Sequence, residues 1–333
     1  MAVTEETIDR LASETGFAGV VRIDPADAPP FAKAYGLAHR GYRIPNTVDT
    51  RFGIASGTKG LTALGVMSLI DEGTLGLDTT ARSVLGEDLP LIDDGVTVEQ
   101  LLTHRSGIGD YFDEEIDRPI TDHVLFVPVH ELATIESCIR VLDGFPSKFP
   151  PGERFSYCNG GYVVLALIAE RTSGVPFHDL VIERVCRPAG MADTTFFRSD
   201  EPPGRVALGY LDEEGDRTNV LHLPVRGAGD GGLYSTASDV RSLWEALFDG
   251  RIVPSERVPE MVRPHSDAPE HERRYGLGFW LHPTTDAVML TGYDAGVSFR
   301  SVHDPTDGST YTVLSNTSEG AWPMTEGIGS LDW

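Results

Sequence analysis

Ser56 and Lys59 are the residues whose types and spacing most directly allow chemistry. They stand in the stretch Ala55-Ser56-Gly57-Thr58-Lys59-Gly60. A helix beginning near Gly57 puts both side chains on one face, three residues apart. Ser56 then sits at the helix N-terminus, where free N–H groups and the dipole favour developing negative charge. A serine hydroxyl is a weak nucleophile until a base takes its proton. An amine beside it in an apolar setting can be that base, because desolvation lowers the pKa of a lysine.

The surrounding sequence provides such a setting. Leu61, Leu64, Val66, Met67, Leu69 and Ile70 follow at once, too apolar for a surface helix. A buried helix seldom begins with an inward lysine unless the charge has a partner or a task. Phe52 and Ile54 lead in like a short strand, and Gly53, Gly57 and Gly60 are expected to keep the backbone open around Ser56.

The elements that must position this pair are legible in outline. A helix is expected over 4–14, strands over 19–23, 31–38 and 51–55, and a loop over 24–30. Thr97 and Gln100 form a capping-box pattern, with Gly107 as a stop. An apolar helix is expected over 161–172, ending at Gly174, and another to Phe248, capped by Thr236 with Asp239 or by Ser238. Loops are expected over 144–153, 199–205 and 263–272. Strands are expected over 276–281, 287–291, 297–303 and 310–315, with Asp304-Pro305-Thr306-Asp307-Gly308 as a hairpin turn. Strands at both ends with helices between predict an α+β fold. One antiparallel sheet is built from both termini, and the site lies in the cleft beside an inserted helical region. The 333 residues then form a single unit, with 1–60 and 200–333 as the α/β part and 61–199 as the mainly helical part.

Composition excludes several classes. The apolar fraction of 40% and charged fraction of 23% are those of a globular protein. A net charge of −24 argues against nucleic-acid and anionic-membrane partners, which need basic patches, and reads as a solubilising acidic surface. The longest clean apolar run, 163–169, is too short to span a bilayer. The acidic start has no secretory h-region, so a cytoplasmic location is expected. Cys138, Cys158 and Cys186 suggest neither a disulfide framework nor a metal site, and no H-E-x-x-H occurs, so neither a metal nor a cofactor is expected.

Two further clusters bear on Ser56. Tyr157-Cys158-Asn159 precedes the apolar helix at Gly161. A phenol there could shuttle protons to Ser56, and Asn159 could hold Lys59 or a substrate amide; the plainer reading of Tyr157 is a core residue with a bonded tip. Leu290-Thr291-Gly292-Tyr293 ends a strand. A glycine there allows close backbone approach, and the edge could offer an N–H to an oxyanion, together with that of Ser56. Asp294, beside Tyr293, could help line an acyl pocket.

Together these clusters resemble the serine β-lactamase and D-alanyl-D-alanine peptidase superfamily, in the branch of AmpC-type lactamases, R61-type peptidases and related carboxylesterases. The resemblance covers nearly the whole chain. Ser56 to Lys59 matches S-x-x-K, and Tyr157 to Asn159 matches Y-x-N. Leu101 to Gly107 is similar to L-L-x-H-x-S-G, and Gly231 to Thr236 to G-G-L-x-S-T. The resemblance implies an acyl-enzyme on Ser56, with Lys59 and Tyr157 as base and acid and Asn159 orienting. It also implies an oxyanion hole from the N–H groups of Ser56 and Tyr293, and a structural His104. The departure is Leu290, where that branch has the Lys or His of K-T-G or H-x-G. Leucine cannot steer a substrate carboxylate, which moves weight from lactamase and peptidase toward esterase or amidase on a small acyl substrate. An acyltransferase, and a binding protein on the same scaffold, remain as alternatives. Oligomeric state is not legible.

Two rival motifs fail. Gly227-Ala228-Gly229-Asp230-Gly231-Gly232 fits G-x-G-x-x-G but lacks a parallel βαβ setting, and is expected to be a flexible loop at the cleft rim. No serine has G-x-S-x-G around it.

Overall fold

The computed structural model describes residues 4–116 and 118–329. An eight-stranded antiparallel sheet takes strands from both ends of the chain. In chain order these are β1 (Gly19–Asp24), β2 (Phe31–Tyr35), β3 (Ser266–Ala268), β4 (Arg273–Tyr275), β5 (Trp280–Leu281), β6 (Val288–Asp294), β7 (Val297–His303) and β8 (Thr310–Ser315). Their order across the sheet is β2-β1-β8-β7-β6-β5-β4-β3. The principal helices are α1 (Glu5–Thr15), α2 (Thr58–Asp71), α3 (Val98–Leu102), α4 (Asn159–Ser173), α5 (Ala237–Phe248) and α6 (Ala321–Gly329).

Two cores result, one on each face of the sheet. Helices α1 and α6 cover one face through Ile8, Ala12, Met324 and Ile328. Helices α2, α4 and α5 belong to the larger core on the other face. Helix α2 is buried on nearly every side, which explains the absence of an amphipathic pattern in its sequence. Among the described residues, no helix is long and apolar enough to cross a membrane.

Several local expectations hold. Thr97 and Gln100 form the reciprocal capping box of α3. Gly174 closes α4 with a left-handed φ of 69°. The Thr236 hydroxyl accepts from the Asp239 N–H to cap α5.

Others are corrected. Helix α3 ends at Leu102, five residues before Gly107. The strand expected over 31–38 breaks at Gly36, whose φ is 66°, and Leu37–His39 pairs with Ile44–Pro45 outside the main sheet. The strand before Ser56 shrinks to Phe52–Gly53 and pairs with Tyr234–Ser235. The expected strand over 276–281 keeps only Trp280–Leu281. Gly278 interrupts it with φ 90°, and a Cβ on Gly276 would lie 2.2 Å from the Met261 carbonyl oxygen. The 263–272 segment, expected as a loop, contains β3.

The glycines around Ser56 serve packing rather than openness. A Cβ on Gly57 would fall 2.5 Å from Phe299, and one on Gly60 would fall 2.5 Å from Leu290 Cδ2. Gly292 is tighter still, at 1.9 Å from the Ile54 carbonyl oxygen. These three positions set how closely α2 and its leading turn approach β6 and β7.

Gly60→Ala should therefore cost about 1–3 kcal/mol through overpacking. Combining it with Leu290→Ala should relieve part of that cost. Urea denaturation of the two single variants and the double variant measures the coupling. Strictly additive losses would show that the two side chains do not meet.

Candidate active site

Ser56 lies in a 3-10 turn, Ala55–Gly57, that leads directly into α2. Ala55 adopts φ 42°, a conformation that costs energy for a residue with a Cβ. Three residues on, Lys59 is 1% exposed. Its Nζ lies 2.9 Å from Ser56 Oγ, 2.8 Å from Asn159 Oδ1 and 2.8 Å from the Asp230 carbonyl oxygen. Burial lowers its pKa from the ordinary lysine value, against the raising pull of Asp230, Glu114, Asp110 and Asp294. As a free amine, it can donate to Asn159 and to Asp230 and still accept the proton of Ser56.

Asn159 is the first residue of α4. Its Nδ2 donates to the Phe112 carbonyl at 3.0 Å and to Glu114 at 3.0 Å, so its Oδ1 is turned to Lys59. Its N–H and that of Gly160 donate to the Asp110 carboxylate at 2.6 and 2.9 Å. Asp110 thus caps α4 from a distant loop. Burial pushes its carboxyl up to about 7, although these N–H groups and that of Phe112 favour the ionised form.

Tyr157 places its ring 5.0 Å from Lys59 Nζ and stacks on Trp280 at 5.6 Å. Burial raises its pKa well above the usual value, followed by Glu114 and Tyr275; a side-chain hydrogen bond with Ser56 pulls the other way. The phenol is therefore a proton donor at neutral pH. His104 packs on it at 4.3 Å. Its Nδ1 accepts from the Cys158 N–H at 3.0 Å, and its carbonyl accepts from the Ser156 N–H at 2.9 Å. Burial drops its pKa well below the usual histidine value. It is a neutral brace for the Tyr157 segment.

The third wall is β6. Thr291 and Tyr293 line the cleft, together with Ser56, Glu114, Tyr157, His271, Arg273, Trp280 and Arg300, around about 190 Å³. Asp294 faces Val297 across the two-residue turn Ala295-Gly296. Ladder bonds alternate, so Tyr293, opposite Ser298, turns its N–H away from β7. A Cβ on Gly292 would lie 1.9 Å from the Ile54 carbonyl oxygen and 3.1 Å from the Gly57 nitrogen, so the turn before α2 packs directly on the face of β6. Tyr293 Oη donates to Glu319 at 2.5 Å. Asp294 stands instead beside a separate small cavity with Tyr111 and Phe112, its carboxyl pushed up to about 7 by burial.

Leu290 does not face the cleft. It is 2% exposed and packs toward Gly60 of α2. The cleft nevertheless holds two cations, Arg273 and Arg300, and Arg300 is the register partner of Thr291. Neither has a motif signal in sequence. Asp110, Tyr111 and Glu114 were also missed. The 227–232 segment is a second correction. A Cβ on Gly229 would lie 2.2 Å from the Tyr162 carbonyl oxygen, the Gly229 carbonyl accepts from Thr62, and that of Asp230 accepts from Lys59. The segment is packed between α2 and α4. Among the described residues, no cluster that could hold a metal ion occurs.

A serine bonded to a buried lysine, beside a phenol and a strand edge, under an antiparallel sheet, defines the serine hydrolases of the β-lactamase and penicillin-binding-protein type. The beta-lactamase family profile matches residues 4–329, and the chain belongs to that family. Its structure is similar to that of a penicillin binding protein from Bacillus halodurans, with a TM-score of 0.91 and 36% identity over 97% of this chain and 99% of that one. It is 32% identical to Esterase EstB of Burkholderia gladioli, over 79% of this chain and 74% of the esterase. The D-amino acid amidase of Ochrobactrum anthropi has a TM-score of 0.77 and 25% identity, over 98% of this chain and 97% of that one.

Asp110 gives a test of these electrostatics. Its folded pKa, about 7, exceeds the ordinary aspartate value of 3.8 because the carboxyl is buried. The folded state therefore binds more protons between those values, and the stability this group contributes is lost as pH rises toward 7. Asp110→Asn should remove that slope. Urea midpoints for wild type and Asp110→Asn, followed from pH 4 to 8, should converge or cross as pH rises. A constant gap would contradict the assignment.

Proposed function

We propose that the chain is an acyl-enzyme serine hydrolase acting on esters or amides of small acyl groups. The observation that carries this reading is the buried Lys59 amine, 2.9 Å from Ser56 Oγ and held by Asn159 Oδ1 and the Asp230 carbonyl. Lys59 takes the Ser56 proton as Oγ attacks the substrate carbonyl carbon. The N–H groups of Ser56 and Tyr293 receive the oxyanion. The bond to the leaving atom breaks, and that atom takes a proton through Tyr157 or Lys59. Water then attacks the acyl-enzyme, with Lys59 again accepting a proton, and Ser56 is restored. Opposite displacements support the division of labour. Burial lowers the amine of Lys59 and raises the phenol of Tyr157, which makes the first a base and the second a donor.

Arg273 and Arg300 favour a second reading, in which the substrate carries a carboxylate. Leucine at 290 is no argument against it, because that side chain points into the core. The esterase and amidase relatives are compatible with either reading.

The test is a panel of short p-nitrophenyl esters, D-amino-acid amides, a D-alanyl peptide and a chromogenic cephalosporin, run with wild type and Ser56→Ala. Turnover should fall by about a thousandfold or more in the variant, and a fluorophosphonate should add mass at Ser56. Undiminished turnover in Ser56→Ala would end the proposal.

The pH profile offers a second check. Because Lys59 must be unprotonated, kcat/KM should rise with pH and level off below the ordinary lysine pKa. A rate flat from pH 5 to 9 would contradict a lysine base. Arg300→Ala should raise KM for carboxylate-bearing substrates about tenfold relative to neutral esters. An unchanged ratio would remove the second reading.

A further inference from the structure

A cavity of about 670 Å³ adjoins the cleft and shares Glu114, Tyr157 and His271 with it. None of the chemistry above uses it. One wall is β3, through Ser266, Asp267 and Ala268; another is the segment from Arg154 to Tyr157. Strand β3 ends the sheet, and among the described residues only β4 pairs with it. Its outer edge therefore carries backbone groups that no other strand pairs, with Asp267 exposed and Ser266 and Ala268 buried. A chain laid along it would gain main-chain hydrogen bonds.

Position and charge narrow the occupant. Where Tyr157 is the donor to the leaving atom, the leaving group lies on its side, toward this cavity, whose wall Tyr157 shares with the cleft. Of the cations on the walls, Arg154 pairs with Glu115, His265 bonds the Glu260 carbonyl, and Arg105 donates to the Gly152 carbonyl without forming an ion pair among the described residues. Asp267 and Glu270 likewise form no ion pair among the described residues, and Glu114 adds to them at the shared wall. Three carboxylates thus stand against the one unpaired guanidinium, and the balance is negative. Two copies pairing edge to edge would set Asp267 and Glu270 against like charges, which disfavours self-association here.

We propose that this groove binds the leaving group, and that the leaving group is an extended peptide with a basic side chain, added to β3 as a further strand. The inference rests on the acyl-enzyme reading and specifies its substrate. The acyl C–N bond breaks as the bond from Ser56 Oγ to the acyl carbon forms. The peptide nitrogen takes the proton and departs as a new amino terminus.

Acetyl and D-alanyl peptides with one to four residues in the leaving portion test this, alongside the p-nitrophenyl ester of each acyl group. The expected result is a rise in kcat/KM of about tenfold between one and three leaving residues. N-methylation of the second and third amides should abolish the rise, because it removes donors without touching the enzyme. Lysine in the leaving portion should be preferred over norleucine, and the ratio should shrink in Asp267→Asn/Glu270→Gln. Ester turnover with no peptide cleavage, or with no dependence on length, overturns this inference alone. Absence of both ester turnover and a Ser56 adduct overturns the acyl-enzyme reading and this inference with it.

Discussion

The amine of Lys59 is the constraint on which the rest of the structure depends. An ammonium in a core is costly unless every donor finds an acceptor. Here the acceptors come from three places in the chain: the turn before α2, the first residue of α4 and the carbonyl of Asp230. Each is itself held. Asn159 is fixed by Phe112, Glu114 and Asp110. Asp230 accepts from Tyr111 Oη at 2.5 Å. Helices α2 and α4 and the glycine-rich segment must therefore converge on one nitrogen. Small residues make that possible, because Gly229 lets the chain pass against the backbone of α4.

Charge around this nitrogen is balanced between opposing effects. Burial favours the free amine, and four carboxyl groups favour the ammonium. Asp110 and Asp294 are pushed up to about 7, so near neutral pH neither is fully ionised and the raising pull is weakened. The same desolvation that frees the amine keeps the phenol of Tyr157 protonated. One physical cause thus displaces the two groups in opposite directions, as the base and acid roles proposed above require.

How much of this was legible in sequence follows from the range of each interaction. Strands β7 and β8 match their expected bounds, because their run and the intervening Pro-Gly turn are local signals. The cap of α5 and the capping box of α3 are local for the same reason. Strands β3 (Ser-Asp-Ala) and β4 (Arg-Arg-Tyr), three residues each, are too short to carry an alternation. Ser56, Lys59, Tyr157 and Asn159 stood out by spacing and by resemblance to a family. Asp110, Tyr111, Glu114 and Arg300 did not, because they reach the site only through tertiary contacts. The glycine-rich 227–232 segment, lacking a parallel βαβ setting, reads as a flexible loop at the cleft rim, whereas its glycines are where backbones touch.

Leu290 shows where motif reading parts from geometry. The match to K-T-G rests on position in the chain, and the expectation that leucine at 290 weakens carboxylate recognition supposes that residue 290 faces the cleft. On a strand, however, the direction of a side chain is set by parity. Leu290 and Gly292 share the face turned to α2, whereas Thr291 and Tyr293 face the cleft. Changing residue 290 thus changes packing against Gly60 before it changes recognition. On the second reading proposed above, selectivity toward a charged substrate would pass to side chains on neighbouring strands. Arg300 is the best placed, since register sets it beside Thr291. Its Nε is buried without a hydrogen-bond partner among the described residues, and burial lowers its pKa. On that second reading, a carboxylate in the cleft would meet the part of this guanidinium that lines it.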